Sequence, residues 1–284
     1  MFVCFNYILL SLLALSCVAP FIHMLALSFS SKNATIAGLV TFWPVEFTFS
    51  SYEYAFRKTE FITAFFVSLK RLALGVSIDI IILVLTAYPL SKPNRQLPGR
   101  SLISWVFVVT MFVSGGLIPT YLVVNATGLR DTLWALVLPG TVQAFNITIL
   151  LNFFRQIPKE LEEAAIIDGA GQFDILLKVY LPLSIPALAT LILFSSVGHW
   201  NEWFSAIIYM NSSKNYPLQS YLQGVLTVPD FSLLDPTQMS LMARVSSKTF
   251  RAAQILIATV PVLCVYPFLQ RYFIAGMTLG SLKG

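Results

Sequence analysis

One short polar and aromatic run interrupts an otherwise apolar stretch in the second half of the chain. It contains His199, Trp200, Asn201, Glu202 and Trp203 in succession. Polar side chains are costly in lipid, so such a group indicates a packed interior or a water-filled path. Indole faces can stack on a sugar ring, and amides or carboxylates can bond its hydroxyls. The alternative is that the tryptophans anchor a span at the interface and the asparagine packs between helices.

A second polar-aromatic group precedes it. Phe145 and Asn146, with Gln143 nearby, could also face a sugar, or could pack between helices. Asp79 lies deep in another apolar run, with Arg71 two turns away along the sequence. Because a proton relay needs partners, we expect Asp79 to make a packing hydrogen bond or a subunit contact.

The chain contains no convincing set of catalytic or metal-binding residues. Its histidines are His23 and His199. His199 could form only a local ion pair with Glu202, and the few cysteines lie in apolar runs. It has no Gly-x-x-x-x-Gly-Lys-Ser/Thr loop for nucleotide phosphates. It also has no clustered basic and aromatic face. We therefore expect no enzymatic activity, no cofactor, no metal and no nucleic-acid partner for this chain alone.

The composition predicts a polytopic membrane protein. Of its 284 residues 57% are hydrophobic and 11% are charged, whereas soluble domains carry about a quarter charged residues. Runs of about 20 apolar residues can cross a bilayer. The sequence predicts an all-α protein with a single membrane domain over residues 1–284, and Gly115 with Gly116 could break its third span. The six predicted spans cover residues 5–29, 72–90, 101–124, 133–154, 181–208 and 252–269.

The basic residues of one short loop favour an orientation. Lys92, Arg95 and Arg100 lie within ten residues that contain no acid, which is typical of a cytoplasmic loop. With six spans, both termini and the loop at 155–180 are then also cytoplasmic. We expect the protein to contact membrane lipid along its apolar spans.

The loop at 155–180 is charged and rich in small residues. Pro158 suits a helix start, the glutamates that follow suit the positive end of the helix dipole, and glycines from Gly169 onward would end the helix. A surface helix built around Ala164 and Ala165 lets another protein approach its backbone closely. It is therefore a candidate docking element, although it could also be only a solvated connection.

The spacing in this loop resembles the signature loop of ABC-importer permeases. The matching pattern begins with Glu163-Ala164-Ala165 and continues, after three residues, with Gly169. Nine residues later follow Val179, one further residue and then Leu-Pro, and valine stands where isoleucine is usual. The whole chain is most similar to the second permease subunit of oligosaccharide importers, the group of the maltose, alginate and lipoprotein-linked saccharide systems. Other matching segments are SGGLIPTY at 114–121, LWALVLPG at 133–140, VGHWNEWF at 197–204, YPLQ at 216–219 and VYPFLQRYF from 265.

This resemblance implies a type I ABC importer permease fold with six transmembrane helices in the bacterial cytoplasmic (inner) membrane. It implies a second homologous permease subunit, two ATP-binding subunits that hold ATP and magnesium, and an extracellular or periplasmic solute-binding protein that delivers oligosaccharide-type solutes. Glu163, Ala164, Ala165 and Gly169 would be signature positions contacting an ATPase.

Asp168 beside these positions, and two basic residues in the C-terminal tail, could face the ATPase as well. Asp168 could pair with a basic group there, and Arg271 and Lys283 could face the same subunit.

The competing hypothesis is an ion- or proton-coupled secondary transporter with Asp79 and Glu202 as its coupling carboxylates.

Overall fold

The computed structural model describes residues 2–227 and 245–281, with the backbone alone described for 225–227 and most of 265–281. Every regular element in these residues is helical, and none of them forms a strand. The first helices are α1 (Phe2–Ser28), α2 (Lys32–Ile36), α3 (Ser50–Arg57), α4 (Thr59–Ser91), α5 (Arg100–Phe112), α6 (Leu117–Ala126), α7 (Leu133–Val137) and α8 (Ala144–Arg155). The others are α9 (Lys159–Ile167), α10 (Gln172–Ile175), α11 (Leu181–Leu183), α12 (Ile185–Asn201), α13 (Phe204–Tyr209), α14 (Leu218–Thr227) and α15 (Ser247–Ser281).

The all-helical prediction is confirmed, and the predicted spans correspond to straight or bent helices. By length and composition α1 and α4 can each cross a membrane. Three bent segments within the described residues could each form another span. Each consists of two helical pieces with a bend between them. The bend angle is 116° between α5 and α6, 53° between Leu133–Gly140 and α8, and 82° between Gln172–Leu183 and α12. The sixth predicted span, at 252–269, falls within α15, whose second half is described mainly by its backbone.

The bends lie where the sequence weakens a helix. Gly116 precedes α6 with a φ of +82°, a conformation that glycine adopts at little cost, so the predicted break in the third span is confirmed. Pro182 and Pro186 flank the bend before α12. Proline cannot donate a backbone hydrogen bond, so a helix readily kinks there.

The chain forms two compact units, and the prediction of a single membrane domain stays a prediction. The first unit comprises residues 1–66 and 218–263. In it, Tyr54 is buried against Phe250, with ring centroids 4.8 Å apart. Most of α1 is exposed in this isolated chain, as expected for a helix covered by lipid or by another subunit.

The second unit comprises residues 67–217 and 264–284. Its core joins α4, α8, the segment around α10 and α12, and Leu150, Ile175 and Leu191 are fully buried there. The rings of Tyr88 and Tyr180 meet edge to face at 5.0 Å. This core lies directly beneath the charged loop and fixes its position.

Candidate functional site

The charged loop folds as its sequence predicts. Pro158 is the residue before α9, and Glu160 and Glu162 occupy the first turn, where negative charge suits the helix dipole. The helix ends at Ile167 with Asp168 as its C-cap, and the next residue, Gly169, has a left-handed φ of +82°. The Gly169 N–H donates to the Ile166 carbonyl at 3.0 Å, which closes the last turn.

Four of the five predicted docking residues on α9 and its C-terminal end are exposed. Glu163, Ala164, Asp168 and Gly169 face away from the unit, whereas Ala165 is half-buried and packs on the core. Ile167 beside them is 85% exposed. The outer face of this loop, which we call the α9 outer face (Glu163, Ala164, Ile167, Asp168 and Gly169), thus combines small, apolar and acidic residues.

The inner side of α9 is held by a buried ion pair that the sequence analysis missed. Lys92 Nζ lies 2.8 Å from Glu162 Oε2, and both side chains are almost fully buried. The Tyr180 hydroxyl donates to the same glutamate oxygen at 2.7 Å. Lys92 also lies 4.2 Å from the ring centroids of Tyr88 and Tyr180, a cation–π arrangement. We call Tyr88, Lys92, Glu162 and Tyr180 the α9 anchor.

Electrostatics favour the charged form of Glu162. Burial raises the pKa of the Glu162 carboxyl, but hydrogen bonds from Lys92 and Tyr180 and the charges of Lys92 and Lys159 outweigh burial and hold this pKa below its usual value. Burial lowers the pKa of the Lys92 ammonium, and its bond to Glu162 offsets this only in part. The pair therefore ties α9 to the end of α4 at neutral pH.

The lowered pKa of Glu162 predicts an acid-sensitive stability. Its stabilising contribution is complete above the ordinary glutamate pKa of about 4.3 and is lost as the pH falls through the lower native value. We expect the apparent Tm of the purified protein to fall over this range. Glu162→Gln should remove that part of the pH dependence, and an unchanged acid profile in this variant would contradict the assignment.

Two helices of the second unit meet through polar side chains. On α4, Arg71 and Asp79 are eight residues apart and therefore lie on one face. Arg71 Nη1 lies 2.7 Å from Glu202 Oε2 and also donates to the Glu202 carbonyl at 3.1 Å. Asp79 Oδ2 accepts from Ser195 Oγ at 2.6 Å and lies 3.0 Å from His199 Nε2. We call this the polar interface, and its residues are Arg71, Gly75, Asp79, Ser195, His199 and Glu202.

These contacts correct the interpretation of Glu202 and His199. The suggested local pair between His199 and Glu202 is wrong, since each is bound to α4 instead. Glu202 also accepts from the Ser205 N–H at 2.7 Å and bonds the Ser205 hydroxyl, so it satisfies one free N–H in the first turn of α13. The hydrogen-bonded packing role expected for Asp79 is confirmed by its bonds to α12.

The five candidate pathway residues are not gathered on one surface. Trp200 is buried, whereas Asn201 is exposed and Trp203 is 40% exposed. Phe145 is 58% exposed, but the adjacent Asn146 is buried on another side of α8. Contact of any of them with a sugar stays a prediction, in which Asn201, Trp203 and Phe145 are the accessible members.

Close helix approach within the polar interface requires Gly75. A Cβ added there would lie 2.5 Å from Cε1 and 2.7 Å from Cδ2 of His199, closer than real contacts allow. We expect Gly75→Ala to displace His199 from Asp79 and to destabilise the protein by about 1–3 kcal/mol, measured by thermal unfolding.

Gly198→Ala is the matched control for this prediction. An added Cβ at Gly198 meets no atom within 4 Å, so stability should be unchanged or slightly higher. Equal losses in the two variants would show that contact with His199 is not the cause.

Comparison with known proteins identifies the class of this chain. Residues 61–279 match the family described as binding-protein-dependent transport system inner membrane component. The chain therefore belongs to this family of membrane-embedded transport permeases. It is 41% identical, over 98% of its own length and 96% of the relative's, to the polygalacturonan/rhamnogalacturonan transport system permease protein YtcP of Bacillus subtilis (strain 168).

Solved structures agree with this assignment. One chain of a bacterial ABC transporter involved in import of the acidic polysaccharide alginate superposes with a TM-score of 0.89 at 34% identity, with 96% of both chains covered. A chain of the bacterial alginate ABC transporter in complex with an alginate pentasaccharide-bound periplasmic protein gives a TM-score of 0.58 at 14% identity, covering 94% of this chain and 92% of that one. The second likeness concerns the fold alone.

Proposed function

We propose that this chain is a permease subunit of an ATP-driven importer for oligosaccharides. The observation that carries this proposal is the close match, over nearly the whole chain, to a permease named for polygalacturonan and rhamnogalacturonan and to one from an alginate importer. Both kinds of polymer carry carboxylates on sugar rings. We therefore expect the substrates to be uronate-containing oligosaccharides.

The α9 outer face is the proposed contact with an ATPase subunit. Ile167 is an exposed apolar side chain beside small residues, a combination that favours close contact with another protein. The chain has no phosphate-binding loop of its own, so ATP and magnesium would be held by two partner subunits. Through the α9 anchor, movement of α9 would be transmitted to α4 and to the segment leading into α12.

The remaining partners follow from the same importer architecture. The pathway would form with a second homologous permease, and an external solute-binding protein would deliver the sugar, as the periplasmic protein in the alginate complex suggests. In this proposal both termini and α9 lie on the cytoplasmic side, and the chain is not itself an enzyme. Asn201, Trp203 and Phe145 would contact the sugar, with Trp200 and Asn146 packing behind them.

Reconstitution tests the proposal directly. The chain is assembled with its partner permease, ATPase and binding protein in proteoliposomes, and uptake of labelled oligogalacturonate, oligoalginate and maltotriose is measured with and without ATP. We expect ATP-dependent uptake of the acidic sugars. Uptake that persists without ATP and collapses with an uncoupler would instead support a secondary transporter, and uptake of maltotriose alone would contradict the acidic substrate class.

A further inference from the structure

A small polar cavity lies between α4, α8 and α12 in the second unit. Its volume is about 10 Å³, the space that one water molecule or one small ion occupies. Five polar side chains line it, and the rest of its wall is isoleucine and leucine. The polar lining residues are Asp79, Thr141, Gln143, Asn146 and Ser195.

One carboxylate oxygen at this cavity lacks a partner. Asp79 is 6% exposed, and its Oδ2 accepts the Ser195 hydroxyl and contacts His199 Nε2. Its Oδ1 is buried and, within the described residues, has no hydrogen-bond partner. A buried polar atom left without a partner is costly, so a ligand at Oδ1 would stabilise this site.

Within the described residues, Asp79 pairs with a histidine and with no permanently charged side chain. In the part of the chain that the structure describes, no lysine or arginine forms an ion pair with Asp79, and Arg71 is bound to Glu202. His199 balances the charge only when it is protonated. Because a buried charge without a charged partner is strongly unfavourable, a cation in the cavity would stabilise the ionised carboxylate when His199 is neutral.

The other lining groups can offer mainly oxygen lone pairs. The Ser195 hydroxyl proton is directed to Asp79, and Thr141 Oγ1 donates to the Val137 carbonyl at 3.0 Å. Asn146 Nδ2 donates to Gln143 Oε1 at 2.5 Å. The Asn146 side-chain carbonyl oxygen is therefore the atom that could bind a ligand in the cavity. A carboxylate with hydroxyl and amide oxygens is a ligand set for a hard cation.

We propose that this cavity binds one sodium ion, with Asp79 Oδ1 as the charged ligand and Thr141, Asn146 and Ser195 as neutral oxygen ligands. This differs from the sequence-based expectation of no metal site, which considered only clusters of histidine, cysteine and acidic residues. Among the described residues no three such side chains gather. The ion would join three membrane helices and stabilise their packing, without driving transport.

The test measures the stability of the complete transporter in nanodiscs against sodium concentration. The apparent Tm is recorded over a NaCl series at constant ionic strength, with choline chloride replacing NaCl because choline is too large for the cavity. We expect a saturable rise of at least about 2 °C for the wild type. Asp79→Asn should abolish the rise and Thr141→Val should shift it to higher sodium concentration.

Glu53→Gln is the control for charge removal. Glu53 forms an exposed pair with Arg57 and is not among the residues that line the cavity, so this variant should keep the full sodium response. A wild-type Tm that is equal in the two salts would show that the cavity holds water only and would overturn the proposal. A sodium response of Asp79→Asn equal to that of the wild type would also overturn it. If Asp79→Asn does not assemble, an unchanged sodium response in Thr141→Val overturns it.

Discussion

Replacing Lys92 by methionine is expected to destabilise the subunit by about 3–5 kcal/mol, the range for breaking a buried ion pair by removing one partner. The loss is large because Glu162 would remain buried with only the Tyr180 hydroxyl as a partner. α9 would also lose its connection to the end of α4. We therefore expect a lower apparent Tm and reduced sugar uptake in the same variant.

Two comparisons isolate the buried pair. Lys178 and Asp174 form an ion pair in the same loop that is largely exposed, so Lys178→Met should cost less than about 1 kcal/mol. The double variant Lys92→Met with Glu162→Gln removes both charges and should recover part of the stability lost in Lys92→Met. Similar losses for Lys92→Met and Lys178→Met would show that the α9 anchor is not a principal support of the loop.

Replacing Gly169 by valine is expected to reduce uptake at least about tenfold while the subunit still inserts in the membrane. The φ of +82° is a conformation in which a residue with a Cβ costs roughly 1–2 kcal/mol more than glycine, and a β-branched residue is a clear outlier. An added Cβ meets no atom within 4 Å in this chain. The defect should therefore arise on the face offered to the ATPase, where hydrolysis would no longer be linked to uptake.

Gly128→Val is the matched control for backbone strain. Gly128 also has a left-handed φ, of +69°, is exposed, and has space for a Cβ. It lies outside the loop at 155–180, so this variant should share the strain and keep most of the uptake. Equal loss of uptake in the two variants would assign the defect to strain and not to the α9 outer face.

Local signals explain what could be predicted from the sequence. Pro158 and Gly169 lie just outside the two ends of α9. Proline restricts the backbone and glycine permits a left-handed conformation, and both effects are local and independent of tertiary contacts. Gly116 breaks the third span for the same reason. The spacing of the small residues in α9 was likewise visible in one short segment.

Contacts between distant segments could not be predicted in the same way. Lys92 and Glu162 are 70 residues apart in the sequence, and only the packing of α9 against the end of α4 brings them together. The spacing of Arg71 and Asp79 on one face, and of Ser195 and His199 on another, was present in the sequence. It could have indicated two polar faces, but which faces meet is decided by tertiary packing.

Burial of the candidate pathway residues also depends on helix orientation. Phe145 and Asn146 are consecutive, and consecutive residues of a helix point in directions about 100° apart, so one can be exposed while the other is buried. Trp200 and Trp203 have the same side chain, yet the first is buried within α12 and the second follows the end of that helix. Composition alone could not separate them.

Cross-linking from Ala164 tests the central claim most directly. The variant Ala164→Cys is made with the free cysteines Cys4, Cys17 and Cys264 replaced by serine, and is assembled with its partner subunits. Ala126→Cys, exposed at the end of α6, is the control. We predict that a short bifunctional thiol reagent joins position 164, but not position 126, to an ATPase subunit. No cross-link from position 164 in an assembled complex that hydrolyses ATP, or labelling of this position from outside intact cells, would contradict the coupling role of α9.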